Sequence, residues 1–256
     1  YQSTPGSLTI TIGSGSQTLA LTSSTGSYVT AVDGSLTVTA SSNVMSGGSI
    51  TYSVASIGSG SATVDATSGV LFGVNVGSVV LTASTAGNAN YMGASISQTI
   101  TINKGSQTLT ISPSTSTMLV GSTLGLIATT SATGGRGGLI SYTIINDTGS
   151  ATVTSGGIIT AISSGTVTFT ASSLGDSDYT SASSSRVITI SKGPQTLTMS
   201  SISSTVVGGT IALSYTTSAS ASSGGLVTYS VLSGSGSASI DSSSGVLRGI
   251  GAGSIQ

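Results

Sequence analysis

The chain repeats one pattern at an interval of about 90 residues, and a repeat of this kind restricts the possible folds more than any other sequence feature. The segment Gly-Ser-Gln-Thr-Leu recurs with small changes, and its Gln stands at positions 17, 107 and 195, which are 90 and 88 residues apart. Two further anchors keep this register, and they are formed by Tyr52, Tyr142 and Tyr229 and by Gly77, Gly165 and Gly253. Because three separate anchors agree, the chain is predicted to contain successive copies of one domain.

The register divides the chain into four segments. Residues 13–103 and 104–191 are predicted to be complete repeats, and residues 192–256 a third repeat without its last strands. Residues 1–12 match residues 91–102 and are predicted to be the last strand of a preceding repeat. The chain is therefore predicted to be a window on a longer array. In the alternative, the strand Thr9–Ile12 pairs into a neighbouring copy of the chain, as in donor-strand exchange.

Each repeat is predicted to be an immunoglobulin-like β-sandwich. In the first repeat, segments such as Leu36–Ala40 and Ile96–Ile102 alternate apolar and polar residues, the pattern of a half-buried strand. About seven short strands in about 90 residues are typical of an immunoglobulin-like sandwich. The predicted strands are 17–21, 35–40, 50–55, 62–65, 70–74, 78–84 and 96–102. Short linkers around Lys104 and Lys192 leave little freedom between domains, so the tandem sandwiches are predicted to form an extended rod.

Several segments resemble the bacterial immunoglobulin-like (Big-type) tandem repeats of large surface and adhesin proteins. The resemblance is carried by residues 225–231 (Gly-Leu-Val-Thr-Tyr-Ser-Val), 236–241 (Gly-Ser-Ala-Ser-Ile-Asp), 244–249 (Ser-Gly-Val-Leu-Arg-Gly) and 169–179, which ends in Asp-Ser-Asp-Tyr. It covers essentially the whole chain. It implies an all-β fold in tandem arrangement and an extracellular or cell-surface location, but it does not separate a spacer from a binding unit.

The residue inventory excludes most catalytic chemistry. The chain has no His and no Cys, and its six acids are all Asp, so a Ser-His-Asp triad and a thiolate nucleophile are impossible. The net charge is −1, which provides no basic surface for nucleic acid. No apolar run reaches the roughly 18 residues of a membrane-spanning helix. The chain is therefore predicted not to be an enzyme, to bind no nucleic acid and to contain no membrane span.

One loop carries the best candidate for a metal site. Asp176 and Asp178 stand two residues apart, and paired carboxylates of this kind contribute to Ca²⁺ sites. The matching residues of the preceding repeat are Asn88 and Asn90, which are weaker ligands. In the alternative, these side chains bond to the backbone and shape the turn. No other cofactor is predicted. Structural roles are predicted for the recurring tyrosines, which are Tyr52, Tyr142 and Tyr229 within the repeats and Tyr91 and Tyr179 after this loop.

Three functions compete at this stage. The first is a structural spacer, or stalk, of a long adhesin-like surface protein, whose partners are the neighbouring repeats of the same chain. The second is a subunit of a self-assembling extracellular filament or sheath, because only 4% of the residues are charged and weakly charged surfaces associate. The third is a carbohydrate-binding module, which the absence of Trp disfavours.

Overall fold

The described residues fold entirely into β-structure. The computed structural model describes residues 5–200, 202, 204–218 and 225–256 and contains no helix among them. The chain forms two compact units, Tyr1–Ser191 and Lys192–Gln256. The first unit contains the first two repeats, and the second contains the third.

The first repeat has eight strands in two four-stranded sheets. One sheet has the order β1-β3-β6-β5 and the other β2-β8-β7-β4. This is the strand order of an immunoglobulin-like sandwich, in which a short second strand joins the sheet that contains the last strand. The strands are β1 (Leu19–Ser23), β2 (Val29–Ala31), β3 (Ser35–Ser42), β4 (Thr51–Ile57), β5 (Ser61–Val64), β6 (Val70–Asn75), β7 (Gly77–Gly87) and β8 (Met92–Asn103).

The core of the first repeat lies between these two sheets. Leu36 and Leu71 come from one sheet, Leu81 and Ile100 come from the other, and all four belong to one buried cluster. Because side chains alternate across each strand, one face reaches this core while Thr and Ser cover the other. The predicted all-β sandwich fold is confirmed.

The seven strands predicted for this repeat all occur, with ends shifted by a few residues. The strand β2 was missed. It has only three residues, too few for a detectable alternation, and it exists because Val29–Ala31 pairs with the end of β8. The pairing is parallel, with Val29 opposite Thr101 and Ala31 opposite Asn103.

The second repeat has the same plan with one strand interrupted. Its strands are β9 (Leu109–Ser112), β10 (Thr117–Leu119), β11 (Thr123–Gly125), β12 (Ile127–Thr130), β13 (Ile140–Asn146), β14 (Ser150–Val153), β15 (Ile158–Ser163), β16 (Gly165–Ser173) and β17 (Ala182–Ser191). The counterpart of β3 is divided into β11 and β12 at Leu126, whose N–H donates to the Gly157 carbonyl. The core contains Phe169, Ile159 and Ile188, all fully buried.

The third repeat forms the second unit with shorter strands. They are β18 (Leu197–Met199), β19 (Thr210–Ala212), β20 (Tyr215–Thr217), β21 (Ser237–Ile240) and β22 (Val246–Gly251). They pair as β18-β20 and as β19-β22-β21. Residues Ile202, Val206, Ile211 and Leu247 line an open cavity of about 540 Å³ in this unit.

The segment before the first repeat makes no strand in its described part. Residues 5–14 are exposed and lie outside every strand, and this range includes the predicted strand Thr9–Ile12. The first four residues of the predicted 1–12 segment lie outside the described residues. The assignment of this segment to a preceding repeat stays a prediction.

The glycine anchor of the repeat has a structural cause. Gly77, Gly165 and Gly253 have φ values of 141°, 135° and 137°, a conformation that side chains rarely adopt. A Cβ at Gly77 would also stand 2.4 Å from the backbone nitrogen of Gly60, so no side chain fits. The position therefore requires glycine in all three repeats.

Candidate functional site: the junction between the first two repeats

The first two repeats are joined by a single linker residue. The last strand of the first repeat ends at Asn103. Gly105 already belongs to the second repeat, since its N–H donates to the Asp178 carbonyl at 2.8 Å and its carbonyl accepts from the Thr180 N–H at 2.9 Å. Only Lys104 lies between, so the linker is one residue long. A linker of one residue leaves little freedom of rotation between the domains.

Tyr179 belongs to the second repeat in sequence but packs into the core of the first. Its side chain is 1% exposed and lies in the same buried cluster as Val32 and Ile102. Its hydroxyl donates to the carboxylate of Asp33 in the first repeat. It also accepts the N–H of Thr133 at 3.1 Å. Tyr179 is thus a core residue shared across the junction.

Asp33 has an unusual backbone conformation. Its φ is 61°, the left-handed region that non-glycine residues enter rarely, although Asp does so more readily than most. The second and third repeats have Gly121 and Gly208 at this position, with φ values of 81° and 82°. In the first repeat the aspartate carboxylate accepts from the Tyr179 hydroxyl and, at 3.1–3.2 Å, from the Thr133 hydroxyl. The cross-repeat bonds account for an aspartate at a position that suits glycine.

A second contact joins charged groups of the second repeat to the β6–β7 turn of the first. The Oδ1 of Asp178 accepts the Val76 N–H at 2.9 Å. Nη1 of Arg136 donates to the Val74 carbonyl at 2.6 Å and lies 3.6 Å from Oδ2 of Asp178. Arg136 and Asp178, which carry opposite charges, therefore both contact one turn of the first repeat. We call these two residues, together with Asp33, Thr133 and Tyr179, the junction.

Asp176 stabilises the loop that presents the junction residues. Its Oδ1 accepts the N–H groups of Asp178 and Tyr179, both at 2.9 Å, and its Oδ2 accepts the Gly137 N–H at 2.7 Å. The Gly137 N–H is the main reason that the pKa of Asp176 lies below its usual value; the N–H groups of Asp178 and Tyr179 and the nearby Lys104 charge add to this effect, and partial desolvation opposes it. Asp176 therefore joins its own turn, which carries Asp178 and Tyr179, to the loop that contains Gly137.

The calcium candidate can be compared with its uncharged counterpart. In the first repeat, Oδ1 of Asn88 accepts the N–H groups of Asn90 and Tyr91 at 2.8 and 3.0 Å, the same pattern that Asp176 makes. An amide oxygen thus forms this turn without any charge, which favours the turn-shaping alternative. No group of three or more His, Cys, Asp or Glu side chains occurs in the part of the chain that the structure describes. Calcium binding by Asp176 and Asp178 stays a prediction.

The carboxylates predict how stability depends on pH. The pKa of Asp65 and of Asp241 is also lowered, chiefly by the N–H of Ser68 and of Ser244 respectively. A group whose pKa is lower in the folded state stabilises that state above its unfolded pKa of about 3.9, and this stabilisation is lost as the pH falls through the folded value. Since the chain has no His and no Glu, we expect a constant Tm from about pH 8 to pH 5 and a falling Tm below about pH 4.

Thermal melting between pH 8 and pH 2 measures this dependence. The matched control is Asp176→Asn, which keeps one acceptor oxygen, as Asn88 does, but cannot be protonated. We expect the variant to lose less Tm on acidification than the native chain. Equal losses in both would show that Asp176 does not contribute.

Sequence reasoning missed the role of the recurring Gln. Nε2 of Gln107 donates to the carbonyls of Gly137 and Thr180, both at 2.8 Å, and its Oε1 accepts the Thr130 hydroxyl at 2.6 Å. Gln17 makes the equivalent bonds in the first repeat. A buried side-chain amide was detectable in the sequence only as a polar anchor that recurs at the start of a strand.

The inner tyrosines of the three repeats share one environment. The hydroxyl of Tyr52 accepts the Ala40 N–H at 2.8 Å, and that of Tyr142 accepts the Ala128 N–H at 3.1 Å. A Cβ built on the glycine of the following hairpin would lie 3.0, 3.5 and 2.7 Å from the rings of Tyr52, Tyr142 and Tyr229 respectively. Each ring therefore covers a glycine of its own repeat.

Tyr91 is the first-repeat counterpart of Tyr179, and it is half-buried. A Cβ on Gly15 would be 3.4 Å from its ring, and the matching distance from Gly105 to the Tyr179 ring is 3.2 Å. Each tyrosine ring thus lies against the equivalent glycine at the start of its own repeat. Of the two tyrosines, only Tyr179 packs against a neighbouring repeat that the structure describes.

Comparison with known proteins returns structural likenesses only. No family model matches the chain, and no curated protein does. A Drosophila N-cadherin fragment, EC1-4, is 15% identical with a TM-score of 0.32, and the match covers 71% of this chain and 48% of that one. The chain thus spans about half the length of that fragment.

Two further structures give similar values. Domains 4 and 5 of the S-layer protein SbsC are 17% identical with a TM-score of 0.31, covering 67% of this chain and 96% of that one. The C-terminal 282-residue fragment of intimin, solved with the intimin-binding domain of its translocated receptor, is 17% identical with a TM-score of 0.28, covering 70% and 65%. Likenesses of this size carry no information on function, and the immunoglobulin-like fold is assigned from the strand order of this chain. A helix long and apolar enough to cross a bilayer does not occur among the described residues.

Proposed function

We propose that the chain is a structural spacer of a long extracellular repeat protein, in which the junction holds successive domains at a fixed orientation. The supporting observation is Tyr179, a residue of one repeat that is buried in the core of the previous one and bonded to Asp33 there. A flexible array would not need such a shared core residue. The extracellular location rests on the resemblance to bacterial immunoglobulin-like surface repeats.

The surface chemistry supports a non-enzymatic role. Charged residues form 4% of the chain, and the carboxylates of Asp65, Asp176 and Asp241 accept hydrogen bonds from N–H groups of their own turns. Tyr52 and Tyr179 are buried, so they are not available to stack on a sugar ring. This argues against the carbohydrate-binding alternative.

One observation favours the filament alternative as a second candidate. Leu8, Ile10 and Ile12 alternate with Thr and are 85%, 74% and 91% exposed. An exposed segment with strand alternation is a template for pairing with another sheet edge. Particle size measured against protein concentration separates the two candidates, because a filament subunit grows with concentration and a spacer does not.

The spacer proposal predicts that the first two repeats tumble as one body. In ¹⁵N relaxation measurements on the full chain, we expect residues of both repeats to report the same rotational correlation time. The double variant Asp33→Gly with Arg136→Ala removes the acceptor for the Tyr179 hydroxyl and the Arg136–Val74 bond. It should shorten the correlation time of each repeat, since the two then move separately.

The matched control is Arg186→Ala, which removes a cation that donates within the second repeat to the Ile111 carbonyl. We expect it to leave the shared correlation time unchanged. Two different correlation times in the native chain would contradict the proposal.

A further inference from the structure

The second and last strands of each complete repeat pair in parallel. In the first repeat β2 pairs with the end of β8, where the Thr101 N–H donates to the Tyr28 carbonyl and the Val32 N–H donates to the Asn103 carbonyl, both at 3.0 Å. In the second repeat β10 pairs with the end of β17 in the same way. There the Thr189 N–H donates to the Ser116 carbonyl at 2.8 Å, and the Val120 N–H donates to the Ser191 carbonyl at 2.9 Å.

A second parallel contact stands at the opposite end of the same strands. Gly15 bridges Tyr91 in parallel at the start of β8, and Gly105 bridges Tyr179 in parallel just before β17. The entering segment of each repeat therefore contacts the last strand near both ends of that strand. The chain enters beside the start of the last strand and leaves from its far end.

This arrangement determines how tension reaches the hydrogen bonds. When two paired strands are pulled from the same end, their bonds open one after another, and each opening needs little force. When parallel strands are pulled from opposite ends, they must slide past each other, so the bonds of the pair carry the load together. Tension along this chain pulls β2 backwards and β8 forwards, which loads their bonds in the second way.

We propose that β2/β8 and β10/β17 are mechanical clamps that keep each repeat folded when the chain is under tension. The proposal rests on the spacer function, because a spacer transmits force through every repeat in turn. Between the two repeats, the load passes from Asn103 through Lys104 to Gly105, so the linker adds almost no slack. The clamp gives the array a load-bearing function beyond that of setting a distance.

Single-molecule pulling on the full chain tests the clamp. The chain has no Cys, so cysteines introduced by Ser7→Cys and Gln256→Cys define the points of attachment. The test variant is Thr101→Pro, which removes the N–H that donates to the Tyr28 carbonyl. The side chain at position 101 stays on the exposed face. We expect one unfolding peak to move to lower force, while the peak of the second repeat keeps its native force.

The matched control for lost stability is Val38→Ala. Val38 is fully buried in the opposite sheet, so its truncation weakens the first repeat without touching the clamp. The stability of both variants is measured by urea unfolding. At equal loss of stability, Thr101→Pro should lower the rupture force and Val38→Ala should leave it near the native value, because forced unfolding follows the barrier and not the equilibrium. Equal effects of the two variants would overturn the proposal.

A change in pulling direction provides a test on the native fold. Cysteines at the exposed Ser27 and Ser97 lie towards the same end of the β2/β8 pair, so pulling between them opens its bonds in sequence. We expect a lower rupture force than for pulling through the chain ends. An equal force in both directions would refute the clamp, and it would leave the relaxation test of the rigid junction unaffected.

Discussion

Replacing Tyr179 by alanine is expected to destabilise the first unit by about 3–5 kcal/mol, as for other large buried aromatic residues. The ring is 1% exposed, and it fills the end of the first repeat's core beside Val32 and Ile102. The variant also leaves the Asp33 carboxylate without the tyrosine hydroxyl. Because the ring belongs to one repeat and the core to the other, its loss should also separate their unfolding into two transitions. Urea denaturation measures the loss of stability, and calorimetry shows whether the two repeats unfold in separate transitions.

The equivalent substitution in the first repeat is the matched control. Tyr91→Ala removes the same side chain from the same turn, but Tyr91 is half-buried and has no described repeat packed over it. We expect a clearly smaller loss than for Tyr179→Ala and no separation of transitions. Tyr179→Phe should cost an intermediate amount, about 1–3 kcal/mol, because it keeps the packing and removes the bond to a charged group. If Tyr91→Ala and Tyr179→Ala had equal effects, the shared core would have no energetic role.

Replacing Gln107 by leucine is expected to cost at least about 2 kcal/mol, although the substitution is nearly isosteric and apolar. The Thr180 carbonyl loses its donor and the Thr130 hydroxyl its acceptor, whereas the Gly137 carbonyl keeps the hydroxyl of Ser173. The Gln107 amide holds the 133–138 loop, which carries Thr133 and Arg136 to the first repeat. Hydrogen exchange should therefore accelerate at the junction as well as around residue 107.

The third repeat contains the control for this substitution. Gln195 occupies the same place in the sequence repeat, but its side chain is exposed. Gln195→Leu should change the free energy of unfolding by no more than about 0.5 kcal/mol, as is usual for surface substitutions. A similar cost for both variants would mean that the buried amide network does not determine the effect.

The sequence was sufficient for the local features of the fold. Along Leu36–Ala40 and Ile96–Ile102, apolar residues alternate with polar ones because only one face of each strand reaches the core. The pattern is therefore visible in neighbouring residues. The Gly77 anchor was visible for a similar reason, since a backbone with φ near 140° beside Gly60 tolerates no side chain in any copy. Repetition of the pattern then made the domain period evident.

The candidate site was only partly visible before the fold was known. Asp176 and Asp178 drew attention as a pair, but their separate tasks, one within the loop and one across to Val76, depend on which N–H groups surround them. The role of Arg136 was not detected, because a single arginine in a glycine-rich turn has no sequence signature. Asp33 could have been noticed as an aspartate in place of a glycine of the other repeats, although its partner could not.

Short-range alternation predicted the β class and seven strands of the first repeat, and the recurring anchors predicted the spacing of the domains. The parallel pairing of Val29–Ala31 with β8 and the insertion of Tyr179 into the core of the preceding repeat became evident only from the fold. Both join residues more than 70 positions apart. Such contacts are stabilised by the partner surface and not by the local chain. A three-residue strand and a shared tyrosine can therefore be recognised only when the surface that they contact is known.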